Sequence, residues 1–150
     1  LQGMYRMRTD QTLMPQTLYL DPQIARVGLN EKQAQAQGLA YEVTRLEMAE
    51  IDRAIIEGSR SGFIKLLTAA GSDRLLGVCI VGEQAGELLA EFTLAMNNGL
   101  GLQRVLASVH PYPSLSQANQ LAAGAHRRAR QGRWQQTWLQ RYHAWRRGGA

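Results

Sequence analysis

LLGVCIVGEQAGELLAEFTLAMNNGL, residues 75–100, is the stretch on which the fold turns. Its first part, LLGVCIVG (75–82), is almost continuously apolar, which predicts a central β-strand. The period then changes. Ala85, Leu88, Leu89, Phe92, Ala95 and Met96 recur at helical spacing, and Asn97-Asn98-Gly99 stops the helix. Leu88, Leu89, Phe92 and Met96 are therefore expected to make core contacts.

Toward the N-terminus, GFIKLLTAA (62–70) meets the strand across Gly71-Ser72-Asp73, and two apolar runs around so short a polar loop read as a hairpin. YEVTRLEMA (41–49) alternates, with Tyr41, Val43 and Arg45 on one face and Thr44 and Leu46 on the other, as a strand does. IDRAIIEGSRSG (51–62) mixes a helical turn with Gly and Ser and reads as a connection. Asn30 is a good N-cap for EKQAQAQ, and Gly38 is placed to end that helix. TLYL (17–20) reads as a short strand closed by Asp21-Pro22. Residues 1–14 are polar and aperiodic, as in a lead-in linker.

Toward the C-terminus, Leu102, Val105 and Leu106 suggest a short helix, and HPYPSLSQ (110–117) breaks the chain with two prolines. Ser114 and Gln117 form a candidate capping box, opening a helix through LSQANQLAAGAHRR. Strands, a hairpin and then helices predict an α+β fold, a mostly antiparallel sheet with helices packed on one face.

A chain of 150 residues with 45% hydrophobic content fits one domain with a real core. No stretch approaches the roughly 20 apolar residues needed to cross a bilayer, and Leu1 to Gln11 lacks the pattern of a signal peptide. The single cysteine, Cys79, cannot form an internal disulfide or a dithiol centre and is expected to be a buried packing residue. A cytoplasmic location is expected, and no metal site. The net charge of +5 hides an asymmetry. Residues 1–91 hold 9 Lys/Arg against 12 Asp/Glu, whereas residues 92–150 hold 8 Arg and no acid.

The succession LDPQIARVGLNEKQAQAQG, RAIIEGSRSGFIKLL, LLGVCIVGEQAGELLAEFTLAMNNGL and VHPYPSLSQA resembles the interface domain of pyridine nucleotide–disulfide oxidoreductases from about Thr17 to Gly124. That group includes dihydrolipoamide dehydrogenase, glutathione reductase and mercuric reductase. The resemblance implies a dimerisation domain (15–124) in a homodimer, with Leu88, Leu89, Phe92 and Met96 as core or dimer contacts, whose parent enzyme also carries N-terminal FAD and NAD(P) domains. Neither the Gly-rich FAD fingerprint nor the redox-active CxxxxC of those domains occurs here. The fragment is thus expected to hold no cofactor and catalyse nothing alone, with FAD and NAD(P)H used by the parent.

The resemblance also implies that the loop His110–Gln117 completes the partner subunit's flavin site. Most of these enzymes carry His-Pro-Thr there, followed after two intervening residues by Glu. The histidine exchanges protons with a thiol, and the carboxylate orients it. Here Tyr112 falls at the histidine position and Gln117 at the glutamate position, with His110 two residues upstream. Tyr112, His110 and Gln117 become the candidate catalytic residues, and His110 and Pro111 the candidate contacts to the partner's FAD. A phenol is a poor base at neutral pH but a good hydrogen-bond donor, and Gln117 cannot stabilise an imidazolium as a carboxylate would. An HPYP loop is found in mercuric-reductase-like flavoproteins, which resemble this chain here more than glutathione reductase does. Mercuric reductases, however, end in a vicinal cysteine pair suited to Hg(II), whereas this chain ends in Gly148-Gly149-Ala150. Without the resemblance, His110 and Tyr112 would read as turn residues.

Residues 125–150 form a basic tail in which Trp134, Trp138, Tyr142 and Trp145 fall on one helical face. The plain reading packs this stripe on the domain or across the dimer. Its alternative is a non-catalytic interaction module whose segment Arg133–Arg147 docks on a membrane surface, peripheral to it, with binding that weakens in salt. Nucleic acid is the weaker partner, since no base-reading motif is present.

Overall fold

The computed structural model describes residues 13–131. The aromatic tail from Trp134 onward, and most of the predicted linker, lie outside the described residues. Five strands form one sheet: β1 (Gln16–Leu18), β2 (Gln23–Gly28), β3 (Tyr41–Glu47), β4 (Phe63–Ala69) and β5 (Leu75–Gly82). Their order is β1-β2-β5-β4-β3, and every pairing is antiparallel. The helices are α1 (Glu31–Ala36), α2 (Asp52–Glu57), α3 (Ala85–Asn97), α4 (Leu102–Ala107) and α5 (Gln117–Arg130). This is the expected α+β architecture.

β5 sits at the centre, between β2 and β4. The alternation along each strand decides what each face carries. Ala25 and Val27 of β2, Val78 and Ile80 of β5, Ile64 and Leu66 of β4 and Leu46 of β3 all point to the helical side, where α3 and α5 cover them. Leu88, Leu89 and Phe92 of α3 are buried in that core, and Met96 packs against it. The opposite face holds a smaller cluster, Ala34 of α1 with Leu67 and Leu76. The short α1 therefore sits across the sheet from the main helical layer. Asn30 caps it as predicted, its side chain accepting from the Gln33 amide at 2.8 Å.

Gly77 shows how tightly β5 is held. A Cβ there would collide with the Leu29 carbonyl, directly beyond the Gly28↔Gly77 register pair. Only glycine lets the two backbones approach so closely.

Three local expectations need correction. QIARVG (23–28) is a full strand that the sequence reading passed over, and the predicted strand at 17–20 is displaced to Gln16–Leu18. Only Ala25 and Val27 of β2 are buried, so the strand offers just two core-facing side chains, with Arg26 between them. The Ser114–Gln117 capping box does not form. Ser114 Oγ instead donates to the Pro111 carbonyl at 2.6 Å, and α5 starts at Gln117 itself. Cys79 is only half-buried, on the face opposite α3, where it lines a cavity of about 130 Å³ with Arg26 and Lys65. Burial raises its thiol pKa, and the two nearby cations only partly counter this, so the thiolate is disfavoured.

His126 of α5 is buried against β3, its Nδ1 3.2 Å from the Thr44 hydroxyl. Burial, aided by the Arg130 guanidinium, pushes its pKa below the usual imidazole value. The unfolded chain, titrating near about 6.5, therefore takes up the proton first as pH falls. The stability contributed by neutral His126 is complete above about pH 6.5 and is lost as pH drops below it. Urea midpoints are expected to fall between about pH 7.5 and 5.5, and His126→Gln to shrink that fall. An equal slope in both proteins contradicts the assignment.

Candidate active-site loop

The loop from Ser108 to Ser116 joins α4 to α5 and is fixed at its base by α3. The stripe Leu88, Leu89 and Phe92 turns into the core, which leaves Glu91 at the edge of the buried face, pointing at the loop. There the Glu91 carboxylate meets His110 Nε2 at 3.0 and 3.1 Å. Its Oε2 also accepts from Asn119 Nδ2 of α5 at 2.8 Å. Asn119 is itself buried and donates a second bond to the Leu88 carbonyl at 2.9 Å. One carboxylate thus ties the loop to two helices.

His110 is turned inward, its side chain only 8% exposed. Its Nδ1 lies 3.1 Å from the Ser108 carbonyl, so both ring nitrogens are engaged. Gln120 of α5 donates to the same carbonyl at 2.9 Å. Leu115 is buried and anchors the far end of the loop. Between the two anchors Pro111, Tyr112 and Pro113 are exposed, with Tyr112 at 69%.

The phenol of Tyr112 donates to Asp52 Oδ2 of α2 at 3.0 Å. That hydrogen bond, and then the charge of Asp52, raise the phenol pKa above its ordinary value. Tyr112 therefore stays protonated at neutral pH and serves as a hydrogen-bonding group. Beside the loop lies a cleft of about 350 Å³ lined by Arg53, Glu57, Glu87, Glu91, Ser114 and Asn119.

The three candidate residues do not gather into a dyad within one chain. His110 and Tyr112 bond to Glu91 and Asp52, not to Gln117, which occupies the first position of α5. Glu91, Asn119 and Asp52 were not singled out from the sequence. Glu91 left one usable signal, a carboxylate beside the apolar stripe of α3. Asp52 left none, standing 60 residues from Tyr112. Among the described residues no group of three or more His, Cys, Asp or Glu could hold a metal ion.

Because Glu91 serves both His110 and Asn119, Glu91→Gln loses a charged acceptor and is expected to cost about 1–3 kcal/mol in urea unfolding. Amide exchange across residues 108–116 should rise with it. Unchanged protection there contradicts the anchoring role.

The chain matches the pyridine nucleotide-disulphide oxidoreductase dimerisation domain over residues 14–123. A mitochondrial dihydrolipoyl dehydrogenase of Caenorhabditis elegans is 38% identical over 109 residues, 73% of this chain and 22% of that protein. A mercuric reductase of Shewanella putrefaciens is 34% identical over 116 residues, 77% of this chain and 21% of the reductase. The HOCl-induced flavoprotein disulfide reductase RclA of Escherichia coli shares the fold with a TM-score of 0.75 and 25% identity, over 83% of this chain and 29% of that one. The chain spans under a third of the length of each of these proteins. It belongs to the dimerisation-domain family of the pyridine nucleotide-disulphide oxidoreductases.

Proposed function

We propose that this domain forms the subunit interface of a homodimeric FAD-dependent NAD(P)H oxidoreductase and that its loop His110–Gln117 completes the partner subunit's active site. The FAD and NAD(P) domains belong to the rest of a longer chain, and the domain alone has no activity. The family match over residues 14–123 carries the reading.

Ile56, Leu94 and Val109 are exposed at 69%, 63% and 95%, a cost that burial against a second subunit removes. The loop does not cradle a dinucleotide by itself. His110 has no free ring nitrogen and Pro111 no N–H, so Tyr112 is the exposed hydrogen-bonding side chain that the loop can present. The flavin, held by the other domains, would supply the redox chemistry. This chain would supply exclusion of water and a neutral phenol beside it.

Sedimentation velocity of this chain over a concentration series tests the interface. A species of twice the monomer mass is expected, and Leu94→Glu is expected to return it to monomer, since burying an unpaired charge costs several kcal/mol. A strict monomer at hundreds of micromolar contradicts the proposal.

A further inference from the structure

Gln117 removes the carboxylate that the loops of the resembling enzymes carry, and no other loop residue is an acid. The fold brings one in from elsewhere. Asp52 opens α2, whose backbone is fixed by the fully buried Ile51 and Ala54 on either side. Its Oδ2 receives the Tyr112 hydroxyl at 3.0 Å.

We propose that Asp52 is the positioning residue for Tyr112, taking for this phenol the part that a carboxylate at position 117 takes for an imidazole. The inference rests on the reading of the loop given above. Both ends of the pair are held. Asp52 stands on a helix packed into the core, and Tyr112 sits between two prolines with His110 clamped by Glu91 just before them. A phenol has one proton to give, and giving it to Asp52 fixes the hydroxyl's rotation while its lone pairs stay free. The group that faces the partner's site is then an oriented acceptor with a committed proton, not a base.

Electrostatics agree with the geometry. Among the described residues Asp52 is the only charged group that raises the Tyr112 pKa, and no cation offsets it. A base at this position would need the opposite shift, toward neutral pH. Asp52 has one other evident use, as an acid in the first turn of α2, where it favours the helix dipole. That role alone would not touch the titration of Tyr112.

The test therefore reads Tyr112 directly, by NMR of the chain carrying 13Cζ-labelled tyrosine, with Tyr112→Phe to assign the signal. Tyr112 is expected to titrate above about pH 10 and to return to about 10 in Asp52→Asn. In the FAD-containing enzyme, Asp52→Asn and Tyr112→Phe are each expected to lower kcat about three- to tenfold, the scale of one hydrogen bond, with KM little changed. The double variant should be no slower than either. A Tyr112 titration identical with and without the Asp52 carboxylate overturns the pairing, even if Tyr112→Phe slows the enzyme. A Tyr112→Phe enzyme of full activity overturns the loop reading, and with it the role given to Asp52.

Discussion

The packing of α3 across β2 and β5 is the contact on which the rest of the structure depends. Phe92 is wholly buried and is the largest such side chain among the described residues, and with Leu89 it sits on the face made by Ala25, Val27, Val78 and Ile80. Burying side chains of this size contributes roughly 1.5–3 kcal/mol each before conformational entropy is counted. The same helix that closes the core offers Glu91 at its edge, one residue before Phe92. The position of the loop is therefore inherited from the core, because the carboxylate that holds His110 and Asn119 cannot move without α3.

Much of the architecture was legible because these elements announce themselves by period. β5 is a continuous apolar run, and α3 repeats its large side chains every three or four residues. The hairpin between β4 and β5 follows from three small polar residues. β2 escaped because only two of its six side chains are buried and Arg26 stands between them. The cap of α5 was misjudged for a related reason. Ser114 has a nearer acceptor in the Pro111 carbonyl, a choice made by the turn geometry of the loop, which a spacing rule cannot see.

The site divides along the same line. The resemblance pointed to His110–Gln117 and set Tyr112 and Gln117 at the positions of the family's histidine and glutamate. The fold separates them. Each polar ring is served by a carboxylate from another element, Glu91 of α3 for His110 and Asp52 of α2 for Tyr112. No rule based on local spacing finds a partner 19 or 60 residues away. The result is a loop with an inward histidine bonded to Glu91 and an outward tyrosine bonded to Asp52. That is a different distribution of labour from an imidazole–carboxylate pair in one short motif.

The most direct test of the account is an experimental structure of the full-length protein determined with FAD added. The account predicts a two-fold dimer in which Tyr112 of one subunit lies in the flavin site of the other, with His110 still bonded to Glu91 within its own chain. A flavin site built from one subunit alone, with Tyr112 left in solvent, would contradict it.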